Sequence, residues 1–279
     1  MPADKAEPRA FTVGDGPAIH GEAAGEGTPV VLCHGLTATR SSVVHGSRAL
    51  ERAGHAVVTY DARGHGESDP ARGGGSYGYP ELVDDLEAVV ESQVGEGHFL
   101  LGGHSMGAHT AIAYALRHPE RLAGLIAIGP SYPGSAAGKE SLGYWDGLAG
   151  ALEREGVEGF VTYIDRHQQI DLRWRDSVLR FTRERMLRHR HLDAIVEALR
   201  QVPRSKPFEG LGDLESIEVP TLVVASHDAA DPGHPYEVAV GYAERIPRAR
   251  LIGEEPGESP LAWQGGKLSR AIAAFAAGS

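Results

Sequence analysis

The residues with the clearest chemical potential in this 279-residue chain are five in a row, Gly103-His104-Ser105-Met106-Gly107. The stretch before them, Phe99–Gly102, reads as a buried strand, and the stretch after them reads as a helix. A serine held between two glycines at such a turn sits on a tight, strained backbone that lifts its hydroxyl clear of the sheet. That is the setting of a nucleophile elbow, and the chemistry it suggests is acyl transfer. Such chemistry needs a nucleophile, a base, a group that orients the base, and donors for the tetrahedral oxyanion. Ser105 is the candidate nucleophile. The Met106 amide opens the following helix, so its N–H and the helix dipole point to where negative charge would develop. A second donor is expected from the loop after the strand Pro29–Cys33, where His34-Gly35-Leu36 lets the backbone turn close beside the serine. We give that role to the Leu36 amide, with His34 and Gly35 as candidates to line the substrate pocket.

Short apolar runs alternate with longer amphipathic ones, the pattern of a mostly parallel sheet with helices on both faces. The runs 29–33, 55–60, 99–102, 124–128 and 221–225 read as central strands, and 250–254 as the last strand. Helical spacing falls over 40–52, 81–94, 106–117, 237–246 and 261–277, while 10–13 and 18–24 suit an antiparallel edge ribbon. From Ser131 to Glu218 the strand rhythm stops and three or four helical stretches follow. We therefore expect a core of residues 1–130 and 219–279 with a helical lid, 131–218, inserted into it. Arginines recur in the lid at positions 173, 175, 180, 183, 185, 188 and 190. They suit a solvated helix face, or one or two of them face the cleft and attract a carboxylate.

A hydrophobic content of 41% allows a large core, and the formal charge of −11 argues against nucleic acid or anionic membranes as partners. No apolar stretch follows the polar first residues, so a cytoplasmic protein without a membrane span is expected. The lone cysteine, Cys33, excludes an internal disulfide and reads as a small apolar residue within a strand. A small-molecule substrate is the partner implied; no metal or cofactor is required, and the pattern does not bear on oligomeric state.

Three pieces in order make the chain resemble the α/β-hydrolase superfamily: the His34-Gly35 loop, the string Asp61-Ala62-Arg63-Gly64-His65-Gly66-Glu67-Ser68-Asp69, and the elbow. The resemblance covers nearly the whole chain and implies the α/β-hydrolase fold, with Asp61 and Arg63 fixing loops rather than performing chemistry. It also implies a catalytic acid beyond the strand that follows the lid. Asp228, after Thr221–Ala225, is the first choice there, and Asp231 is the second. In relatives the histidine base follows the last strand; here that stretch is Glu255-Pro256-Gly257-Glu258-Ser259-Pro260, with Glu258 in the histidine's place and no histidine after His234.

A normal glutamate has a pKa about two units below that of histidine and is a weak base near neutrality. His234 is the most credible replacement, because it lies beside both candidate acids between Gly233 and Pro235. Of the other histidines, His104 should point away from the pocket, His34 and His65 sit in loops that could line it, and His227 should face backwards by strand alternation. The leading expectation is a serine hydrolase of a small ester, lactone or related carbonyl compound, with Ser105, Asp228 and His234 as its catalytic residues. Two alternatives stay open: a lyase, isomerase or cyclase on the same oxyanion hole with Glu258 as base, and a non-catalytic ligand-binding module.

Overall fold

The computed structural model describes residues 7–227 and 229–278. An antiparallel ribbon of β1 (Arg9–Val13) and β2 (Ile19–Ala24) leads into β3 (Thr28–Cys33), α1 (Ala49–Arg52), β4 (His55–Tyr60), α2 (Tyr79–Gln93), β5 (Phe99–His104), α3 (Met106–Arg117) and β6 (Leu122–Ile128). Three helices follow with no strand between them: α4 (Lys139–His167), α5 (Leu172–Met186) and α6 (Leu192–Gln201). The chain then returns to the sheet through β7 (Thr221–Val224), α7 (Tyr236–Arg245), β8 (Ala249–Ile252) and α8 (Gly265–Ala276). Among the described residues the strands make one eight-stranded sheet in the order β1-β2-β4-β3-β5-β6-β7-β8. The pairings β1–β2 and β2–β4 are antiparallel and all the others are parallel.

The central strands are continuously apolar because both faces are covered. Val31, Cys33, Leu101, Ala127 and Val223 pack with Val83, Leu86, Ile112 and Tyr242 of α2, α3 and α7 on one face. Their alternating neighbours Val30, Leu32, Leu100, Ile126 and Val224 pack with Leu50, Leu268 and Ile272 of α1 and α8 on the other. Cys33 is buried as expected, its Sγ 3.4 Å from the Tyr60 hydroxyl, and burial pushes its thiol up to about 12.

Helices α4, α5 and α6 carry a core of their own, in which Leu148, Leu152, Phe160 and Ile164 meet Met186, Ile195 and Leu199. Leu36 packs both against this cluster and against the one around Met106 and Ala194, so the loop after β3 sits at the seam between sheet and insertion. No helix among the described residues is long and apolar enough to cross a membrane.

Two expected helices are divided. Residues 40–52 hold a 3-10 turn at Arg40–Ser42 and then α1, separated by His45 and Gly46 at φ 47° and 72°. The cause is capture of the segment's start: Arg40 N donates to Asp61 Oδ1 at 2.7 Å, and its guanidinium also grips Asp61. Residues 261–277 divide into a 3-10 turn at Leu261–Trp263 and α8, where a Cβ on Gly265 would strike the Val44 carbonyl.

Candidate active site

Ser105 joins β5 to α3 with φ 53° and ψ −116°, a conformation that costs a non-glycine residue and persists only where its surroundings hold it. The holding groups are its own backbone, with Ser105 N donating to Ile128 O at 2.9 Å and His109 N donating to Ser105 O at 3.0 Å. The flanking glycines are there for space. A Cβ on Gly107 would strike the Cys33 carbonyl, and one on Gly103 would strike the Gly107 carbonyl. The Gly35 loop passes close, since a Cβ built on Gly35 would stand 3.4 Å from Ser105 Cβ and 3.1 Å from His104 Nδ1. Among the described residues the amides of Leu36 and Met106 donate no backbone hydrogen bond, and Ser105 makes no side-chain cap bond to α3.

The loop between β7 and α7 brings a histidine–aspartate pair to this corner. His234 Nδ1 lies 2.8 Å from Asp231 Oδ1, and the two side chains are 15% and 12% exposed. Burial alone would raise the Asp231 carboxyl. The attraction and hydrogen bond of His234, helped by His104 and Arg185, outweigh burial and hold it below the usual carboxylate range. An ionised carboxylate can only accept, so His234 carries its proton on Nδ1 and leaves Nε2 free to accept another.

The His234 ring stands 4.8 Å from that of His104. Both lie over Gly129 at the end of β6, where an added Cβ would meet His104 Nε2 and His234 Cδ2 at 3.3 Å each. His104 thus turns toward the Asp231 loop. Burial, and then His234, push its pKa down to about 3, and its Nε2 is buried with no partner. Donor atoms of His104, Asp231 and His234 lie within 4.8 Å of one another, a spacing that could hold a metal ion where none was expected from the sequence.

Asp228 lies outside the described residues. Its neighbour His227 places its ring 3.9 Å from that of Tyr236 at the start of α7. Glu258 is at the surface, 2.8 Å from Lys267, which holds its carboxyl below the ordinary range. The buried acid of that loop is instead Glu254, which accepts from His227 N at 2.5 Å, Ser226 Oγ at 3.3 Å and Leu261 N at 3.1 Å. It pins the end of β7 to the loop after β8. Sequence reading missed it because the strand was expected to run through residue 254.

His34 is a brace between loops. Its Nδ1 donates to Gly35 O at 2.8 Å and its Nε2 accepts from Ala62 N at 2.9 Å, while burial pushes its pKa down. Asp61 and Arg63 fix loops in the same way: Asp61 accepts from Arg40 and from Glu67 N, and Arg63 forks onto Asp85 at 2.7 and 2.8 Å. Two further histidines escaped the sequence reading. His189, between α5 and α6, accepts from Gly66 N at 2.9 Å and donates to Thr37 O at 3.0 Å. His109 accepts at Nε2 from Ser131 N and Tyr132 N and meets Tyr79 Oη at 2.9 Å through Nδ1. Together they tie the helical insertion to the elbow's surroundings, through contacts too distant in sequence for any local signal.

A strained serine between close glycines at a strand-to-helix turn, on a doubly covered and mostly parallel sheet, defines a class of protein. The chain belongs to the α/β-hydrolase fold family, whose model matches residues 28–265. It is 31% identical over 219 residues to a 2-hydroxy-6-oxononadienedioate/2-hydroxy-6-oxononatrienedioate hydrolase of Pseudomonas putida, covering 74% of this chain and 73% of that one. It is 38% identical over 109 residues to epoxide hydrolase B of Mycobacterium tuberculosis, a match spanning 39% of this chain and 30% of that protein. Among solved structures, an enol-lactonase from Burkholderia xenovorans superposes with a TM-score of 0.75 at 20% identity, covering 96% of this chain and 99% of that one. A thermophilic esterase from Thermogutta terrifontis gives 0.74 at 24%, covering 97% and 98%. The two curated relatives are hydrolases, and the two solved structures share the fold.

Proposed function

We propose that the protein is a serine hydrolase of a small ester, lactone or related carbonyl compound, with His234 as base and Asp231 as the acid that orients it. The observation that carries this reading is the 2.8 Å His234–Asp231 contact, with the His234 ring set against the residue that precedes Ser105. Asp231 fixes the imidazole as the Nδ1–H tautomer, so Nε2 takes the proton of Ser105 as Oγ attacks the carbonyl carbon. The Leu36 and Met106 amides, free of other backbone partners, stabilise the oxyanion. Collapse of the tetrahedral adduct expels the leaving group with the proton held on His234. Water, activated by the same nitrogen, then frees the acyl group. The helices between β6 and β7 act as a lid, which the bonds of His189 to Thr37 and Gly66 hold on the core loops.

The reading with Glu258 as base is less well supported, because its exposed carboxylate pairs with Lys267, which lowers its basicity further. The hydrolase reading is tested with p-nitrophenyl acetate and a fluorophosphonate probe. Wild type should hydrolyse the ester and gain one adduct on Ser105. A Ser105→Ala variant with unaltered turnover would overturn the assignment.

A further inference from the structure

The arginines of the insertion are not equivalent. Arg173 pairs with Asp171, Arg175 with Asp165, Arg183 with Glu158 and Arg190 with Glu67. Arg188 donates to Ser41, and Arg180 lies over the Phe181 ring. Arg185 does none of this. It stands one residue before the end of α5, next to the fully buried Met186, and among the described residues no carboxylate comes within ion-pair distance of it. Its Nε is closed to solvent and has no hydrogen-bond partner.

A guanidinium cannot shed its proton, so even partial burial of one without a counter-ion is a cost. Its place indicates what relieves it. Met186, the next residue of α5, lies in the cluster against which Leu36 of the loop beside Ser105 packs, and the Arg185 charge acts on Asp231 and His104. Asp231 does not neutralise it, because the Oδ1 of that acid is engaged by His234 and no ion pair joins the two. The vacant fork therefore stands on the part of the insertion that meets the Leu36 loop beside Ser105 and the Asp231–His104 pair. Two parallel N–H donors of this kind match a carboxylate better than any neutral group.

We propose that Arg185 anchors a carboxylate on the substrate, so that the ester, lactone or related carbonyl compound attacked by Ser105 carries a free carboxylate away from its scissile bond. The inference rests on the hydrolase reading for its reaction, but the anion site can be measured without turnover.

Two p-nitrophenyl esters serve as the kinetic pair: mono-p-nitrophenyl glutarate, which is anionic, and its methyl ester, which is neutral. Wild type should show a KM about tenfold to a hundredfold lower for the anionic member, the range of a hydrogen bond to a charged group. Arg185→Met should erase that ratio through the KM of the anionic ester, and Arg185→Lys should restore part of it, keeping the charge but not the fork. Arg183→Met, on the solvated side of the same helix, should keep the ratio.

Calorimetry with succinate, glutarate and adipate supplies the second measurement. Wild type and Ser105→Ala should bind at least one of them alike, and Arg185→Met should lose that binding. Lost binding in Arg185→Met together with no esterase activity in wild type would retain the anion site and remove the hydrolase reading. Equal KM values for the two esters in wild type, or no dicarboxylate bound by wild type, would overturn the proposal even if Arg185→Met does not fold.

Discussion

Asp231 has two effects on His234 that can be separated. In the proposed mechanism it fixes which ring nitrogen carries the proton, and its negative charge stabilises the imidazolium formed during attack. Asp231→Asn keeps the shape but removes the charge and lets the amide present its NH2 to Nδ1, which would turn Nε2 into a donor. We expect kcat to fall roughly a thousandfold or more, the scale seen when a triad's orienting acid is neutralised, with KM nearly unchanged. A kcat within about threefold of wild type would place the orienting acid elsewhere. The i, i+3 spacing of Asp231 and His234 was visible in the sequence, yet Asp228 looked the better acid because it stands closer to the strand end. What the spacing could not convey is the contact of the His234 ring with His104, which depends on Gly129 leaving room for both. Gly129 has φ 53°, so Gly129→Ala both strains the backbone and wedges the two rings. It should cost activity by at least tenfold in kcat/KM; a fully active, equally stable Gly129→Ala would contradict this packing.

At the scale of elements, the attachment of the insertion rests on a few hydrogen bonds. His189 joins both core loops at once, and Arg190 N adds a bond to Gly66 O at 3.0 Å. His189→Ala leaves the buried Thr37 carbonyl and Gly66 amide unpaired, and each such group costs about 1–3 kcal/mol. Denaturant unfolding should show a loss of about 2 kcal/mol or more, and amide exchange should quicken around residues 187–192. Unchanged exchange there would show that the hydrophobic cluster alone holds the insertion. The elements themselves were largely legible: 55–60 and 106–117 match the observed strand and helix end for end. Their signals are local, a buried apolar run in one and an amphipathic repeat in the other. The helix over 40–52 was not legible as broken, because the group that breaks it is Asp61, in the loop after β4. The arginines of α5 posed the same difficulty, since Arg183 and Arg185 differ only in what the fold brings to each.

For the molecule as a whole, buried neutral imidazoles contribute to the response to acid, and three of them show its scale. His104 and His109 are pushed down to about 3 and His189 to about 4, in each case chiefly by burial. In the unfolded chain the same groups take up a proton near 6.5. Between those values the unfolded state binds more protons, so this contribution to stability is complete above pH 6.5 and is lost progressively as the pH falls toward about 3. Because two of the three hold the insertion to the core, acid should loosen that attachment as part of the same transition. We expect a loss on the order of a few kcal/mol across that window in urea titrations, and a flat profile would contradict it.

The central claim is that His234 activates Ser105 in place of the histidine missing after Gly257. It is tested most directly by the rate at which a fluorophosphonate modifies Ser105, followed by intact mass in wild type, His234→Ala and Glu258→Gln. The account predicts fast single labelling of wild type and Glu258→Gln, and labelling slowed roughly a thousandfold in His234→Ala. Labelling of His234→Ala at the wild-type rate would contradict it.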